Sequence, residues 1–173
     1  YCSPGYHPMA DGIALIGIKL VKDSLFEAYE NGENIEARTN MLSAALMGAT
    51  AFQKGLGGIH ALSHPIGAIY NTHHGTTNAV VMKKVLEFNK DYINIKIQKL
   101  SNFLDIENGF NGFTDFVEEL CNKLNIPKCL KDIGVEKNQL ELVASMAIVD
   151  PTASGNPREL TFDNTLNLLK ECL

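Results

Sequence analysis

Apolar residues recur at steps of three and four in segment after segment of this chain, and no convincing alternating run of more than a few residues appears. That period belongs to helices with one buried face, so the chain is read as all-α. Short β-like stretches, such as residues 79–82, sit inside helical patterns. No heptad persists, which excludes a coiled coil and leaves an irregular multi-helix bundle.

Stop and start signals divide the pattern. Pro8 suits the first turn of a helix running to about Glu30, with Ile13, Leu20 and Val21 on one side and Asn31-Gly32 as its stop. A second helix is expected from Ile35 to about Leu56. Its larger apolar residues Leu42, Leu46 and Phe52 step by three and four with Ala45 and Ala49, and its small residues Ala44, Ala45, Gly48 and Ala49 would let another helix approach closely. Gly55, Gly57 and Gly58 break the pattern. Residues 59–70 form a third helix nearly free of charge, hence central and buried, ending at Asn71-Thr72. Helices are expected over 75–88 and 92–104, then a loop over 107–112. Further helices follow over 113–124, 137–148 and from Thr161 to the end, with stops at Pro127 and Asp150-Pro151.

A length of 173 residues suits one domain with a core of its own. The formal net charge is −5, and no Lys/Arg-rich run appears, which argues against nucleic acid and acidic membranes as partners. No apolar stretch has the length of a membrane span. Cys2, Cys121, Cys129 and Cys172 show no CxxC spacing and read as reduced thiols of a cytoplasmic protein. The opening Tyr1-Cys2-Ser3-Pro4-Gly5 lacks an initiator Met and resembles mid-protein sequence, so the chain is expected to be a piece of a longer one.

The chemistry is concentrated in one stretch. Of five histidines, four are His60, His64, His73 and His74. His60 and His64 are four residues apart and share a face of the least polar helix. Buried imidazoles need a partner, and a metal ion is one. Spacing alone pairs His60 with His64 as ligands and leaves His74, delivered by the Asn71-Thr72 turn, as a third candidate. His73 reads as an exposed residue at a helix start and His7 as a surface turn residue. Tyr70 and Phe52 suit either the lining of a cleft or the core. Arg158 reads as a loop anchor.

Residues 57–78 resemble the signature of the iron-containing (group III) alcohol dehydrogenases. His60, His64, Gly67 and the pair His74-Gly75 match it in order, and Pro8 to Lys19, the Asn71-Thr72 turn and Asn156-Pro157-Arg158 match more weakly. The resemblance implies the helical C-terminal domain of a dehydroquinate synthase-like two-domain fold, with residues 1–173 as a single metal-binding domain and the N-terminal NAD(P)-binding α/β domain absent. It implies an Fe2+ site, with Zn2+ as the alternative, held by an Asp, a His four residues later and two further histidines that map onto His60 and His74. It places His64 beside the nicotinamide, as the catalytic and cofactor-contacting residue, rather than on the metal.

The Asp-x-x-x-His pair has no match here: Asp11 is followed four residues on by Leu15, so Asp11 is expected to be a solvated or capping helix residue. No glycine-rich phosphate loop follows a strand either; Gly55, Gly57 and Gly58 read as a helix break. The expected activity is therefore NAD(P)-linked interconversion of a small alcohol with an aldehyde or ketone, carried out by a homo-oligomeric parent and lost in this piece alone. A related reductase, such as a maleylacetate reductase or glycerol dehydrogenase, is the alternative within the fold. A free-standing helical metal-binding module is the alternative outside enzymology.

Overall fold

The computed structural model describes all residues, 1–173. It contains eight α-helices and no strand: α1 (Pro8–Glu30), α2 (Ile35–Ala51), α3 (Gly58–Tyr70), α4 (His74–Phe88), α5 (Lys90–Phe103), α6 (Gly109–Lys123), α7 (Leu140–Ala147) and α8 (Phe162–Cys172). Short 3-10 turns lie at Phe52–Lys54, Leu130–Ile133, Lys137–Gln139 and Ala153–Gly155. No helix is long and apolar enough to cross a membrane. The helices belong to two compact units, residues 1–55 with 95–124, and residues 56–94 with 125–173.

In the first unit α1 and α2 form a hairpin. α1 starts as expected at Pro8, where His7 is the N-cap and its Nδ1 accepts from the Ala10 amide at 3.1 Å. The two helices meet through small residues: Ala10, Ala14 and Gly17 on α1, and Ala37, Ala44 and Ala51 on α2, are buried. A Cβ on Gly17 would stand 3.2 Å from Met47 Cβ, which measures how closely the backbones approach. Asn40 ties across by donating to Ser24 Oγ at 3.1 Å. The apolar stripe named from the sequence is the outer face of α2: Leu42 is 74% exposed, Leu46 70% and Phe52 53%. The alanine line wins because two helices can approach more closely through it.

Asp11 is neither simply solvated nor a cap. It forms an ion pair with Lys54, whose side chain is 2% exposed. Lys54 also donates to the Tyr1 carbonyl at 3.0 Å, and Lys96 donates to the carbonyls of Tyr1 at 3.0 Å and Ser3 at 3.2 Å. Burial opposes the charge on Lys54, but the hydrogen bond and attraction from Asp11 outweigh it and raise its pKa. α6 begins four residues earlier than its apolar pattern, so residues 109–112, expected as loop, are helical. Gly109 at φ 56 and Asn108 at φ 63 allow the sharp entry, and Ser101 Oγ donates to the Gly109 carbonyl at 2.9 Å.

The second unit is built on one apolar core. α3 packs on α4 and α7, and α8 on α4 and α7. Leu62, Ile66, Val81, Leu130, Leu140, Val143 and Leu169 are fully buried in one cluster, each contributing roughly 1.5–3 kcal/mol by leaving water. α8 is capped by Thr161, whose hydroxyl and the Asn164 side chain satisfy each other's backbone amides. All four cysteines are free. Burial pushes the Cys172 thiol up to about 12, so it packs as a small hydrophobe and is not a nucleophile.

Candidate metal and cofactor site

The site lies in the second unit and begins with the glycine break. Gly57 and Gly58 run against Asn156: a Cβ on Gly57 would come 3.2 Å from Asn156 Cα, and one on Gly58 3.0 Å from Asn156 Oδ1. Asn156 Oδ1 accepts from the Gly58 amide at 3.0 Å, satisfying one of the orphan donors at the start of α3. The glycines thus permit a close approach that fixes where α3 starts. His60, half-buried, lies in the first turn of α3, and His64 follows one turn further on. Most of the rest of this helix is buried, as its lack of charge predicts.

Asn71, in the left-handed region at φ 53, ends α3 and turns the chain. His73 is the exposed N-cap of α4, its Nδ1 accepting from the Thr76 amide at 3.3 Å. His74 follows as the first residue of α4, and Thr77 Oγ1 donates to Thr72 Oγ1 at 2.8 Å across the turn. His60, His64 and His74 are thereby gathered into one cluster. Their ring centres are 5.3 Å apart for His60 and His74, and 5.7 Å for each of the pairs with His64. His73 faces its own helix terminus and stays out of this cluster.

Each imidazole has a distinct environment. Burial pushes the pKa of His60 below its ordinary value; His74 and His64 push the same way and Asp150 opposes them. His60 is therefore a neutral imidazole at neutral pH, the form that binds a metal. The Asn78 amide lies 3.1 Å from His74 Nε2, and Asn78 Oδ1 is a buried oxygen without a hydrogen-bond partner. His64 Nδ1 is 2.9 Å from Asp150 Oδ2. The other oxygen, Oδ1, accepts from the Thr152 amide at 2.8 Å and the Thr152 hydroxyl at 2.6 Å. Burial alone would raise the Asp150 carboxyl, but the bonds from Thr152 and His64 hold it below its ordinary range.

Two imidazoles bound to one ion at about 2.0–2.1 Å in tetrahedral directions have ring centres roughly 5 Å apart. The spacing of His60 and His74 fits this, as does the neutral state of His60. No group of three or more His, Cys, Asp or Glu side chains is arranged to hold a metal ion. Tyr70 packs against the core, with its hydroxyl accepting from the Glu136 amide at 3.2 Å. Arg158 is a loop anchor: it donates to the Phe88 carbonyl at 3.2 Å and lies 4.1 Å over the Phe88 ring. Asp150 was not legible as a site residue. It is 86 positions from His64, and only its place at a helix stop marks it in the sequence.

The model of the "Fe-containing alcohol dehydrogenase family, C-terminal" matches residues 1–173. The chain belongs to the iron-containing alcohol dehydrogenase family. It is 34% identical to 4-hydroxybutyrate dehydrogenase of Cupriavidus necator over 182 residues, covering all of this chain and 47% of that protein. The crystal structure of a 1,3-propanediol oxidoreductase superposes with a TM-score of 0.96 at 26% identity, and an alcohol dehydrogenase from Oenococcus oeni with 0.95 at 28%. Each match covers this whole chain and 47% of the other. This member of the family therefore spans about half the length of the relatives it matches, and its all-α architecture is that of the matching half.

Proposed function

We propose that these helices supply the metal-holding half of an NAD(P)-linked dehydrogenase acting on a small primary alcohol or its aldehyde. The observation that carries the reading is the cluster of three imidazoles within 5.3–5.7 Å of one another. His60 and His74, the closest pair, would hold Fe2+ or Zn2+; the remaining ligands and the dinucleotide-binding α/β domain would come from sequence outside residues 1–173. When bound, the ion supplies Lewis acidity toward the substrate hydroxyl and the nicotinamide accepts hydride.

The rest is done by the chain's own groups. Burial keeps His60 neutral and so available as a ligand. The Asn156 amide fixes the start of α3, and with it the height of His60 and His64. His64 would stand beside the nicotinamide and serve as the relay for the hydroxyl proton, a task suited to imidazole. The terminal hydroxyl common to 4-hydroxybutyrate and 1,3-propanediol, named for two of the similar proteins, supports the substrate class. Taken alone, residues 1–173 are proposed to lack turnover.

The test is the metal content of the full-length protein, purified anaerobically and measured by mass spectrometry beside His60→Ala and His74→Ala. About one iron or zinc per chain is expected, lost in both variants. His64→Ala should keep the metal and lose turnover. Equal metal in wild type and His74→Ala, or none in either, would sink the reading.

A further inference from the structure

We propose that Asp150 is a positioning residue for His64: its carboxylate fixes the ring proton on Nδ1 and leaves Nε2 as the working nitrogen, with Thr152 holding the carboxylate in turn. The inference rests on the role given to His64 above and names the group that prepares it. An ionised carboxylate can only accept, so the nitrogen 2.9 Å from Asp150 Oδ2 carries the proton whatever the charge on the ring. In the neutral ring the other nitrogen, Nε2, then keeps the lone pair. A ring in the opposite tautomer would present an N–H there and could not take a proton.

Asp150 is built to hold one orientation. Its side chain is 11% exposed, against 41% for His64, so the anchor is half-buried and the imidazole is the more accessible partner. Oδ1 is engaged twice, by the amide and the hydroxyl of Thr152, and the carboxylate cannot rotate away from His64 without giving up both bonds. Its backbone is tied on each side: the Asp150 amide donates to the Ala147 carbonyl at 3.2 Å, and the Asp150 carbonyl accepts from Ala153 at 3.0 Å. Pro151, between Asp150 and Thr152, fixes its own φ and removes a further degree of freedom. Among the three imidazoles the hydrogen bond of Asp150 is to His64 and not to His60 or His74; on His60 it acts only through the attraction that opposes burial.

The direct readout is the tautomer of His64, from long-range proton–nitrogen NMR correlations on the nitrogen-15-labelled chain. Wild type should show Nδ1 protonated and Nε2 unprotonated. In Asp150→Asn the new amide can donate to Nδ1, so the tautomer should invert. Asp150→Ala, which removes the partner and adds no donor, should give a mixture, and it serves if the Asn variant folds poorly. In the full-length enzyme Asp150→Asn should lower kcat by about 100-fold or more, with metal content and KM little changed. A wild-type ring protonated on Nε2, the same tautomer in all three proteins, or unchanged kcat in the Asn variant would overturn the proposal. The two readings fail separately: a wild type with Nδ1 protonated but no metal would defeat the dehydrogenase reading and support the pairing of His64 with Asp150.

Discussion

Asn156→Ala is expected to destabilise the second unit by about 3–5 kcal/mol. This one amide serves four polar groups. Its Oδ1 accepts from the Gly58 amide and from Asn89 Nδ2, both at 3.0 Å, and its Nδ2 donates to Asn89 Oδ1 at 2.9 Å and to the Arg158 carbonyl at 2.6 Å. Both asparagines are buried. Truncation leaves the Gly58 amide, the Arg158 carbonyl and part of the Asn89 amide without these partners, at roughly 1–3 kcal/mol for each group left unsatisfied. Asn156→Asp keeps the acceptor but sets a second oxygen against Asn89 Oδ1 and the Arg158 carbonyl and buries a charge, so it should cost at least as much as alanine. Urea unfolding followed by far-ultraviolet circular dichroism measures both. A loss below about 1 kcal/mol for alanine would mean that water replaces the amide and that the start of α3 is held by packing instead.

Gly112→Ala should be the most damaging single methyl in the first unit, costing about 3 kcal/mol or more. The added Cβ would stand 1.8 Å from the Glu107 carbonyl oxygen and 3.2 Å from Ile106 Cγ2. The obstacle is backbone, and the turn that carries it is pinned by the Ile106 amide donating to the Ser101 carbonyl at 2.9 Å. The same change at Gly48, where a Cβ meets nothing within 4 Å, should act in the opposite direction. It stiffens α2 and stabilises by about 0.5–1 kcal/mol. Opposite signs for two glycine-to-alanine changes, measured by the same urea titration, separate steric cost from helix propensity. Equal signs would show that the turn at Glu107 yields.

The helices were legible where their ends carry distinctive chemistry. Proline at the start and Asn-Gly at the end bounded α1, and Asn71 bounded α3. The start of α6 was hidden because Gly109 and Gly112 weaken a helical reading while serving its entry turn. On α2 the small residues expected to admit a close helix include Ala44, which is buried with Ala37 and Ala51, while the larger Leu42 stripe faces outward because close approach selects the alanine line. Within the site, the density of histidines marked His60, His64 and His74 as candidates, and the fold brings their rings to 5.3–5.7 Å of one another. The partnership of His64 with Asp150, like that of Asp11 with Lys54, joins residues far apart in the chain. Such pairs arise from tertiary packing and leave no periodic trace.

The outward stripe on α2 also bears on how this chain should be studied. Ile35, Leu42 and Leu46 are each at least 70% exposed on the native surface. Dyes that fluoresce on apolar contact will find a binding surface before any unfolding occurs. A melting scan read by such a dye would start bright and understate the transition. Melting read from the backbone signal is free of that artefact, because the stripe adds nothing to it.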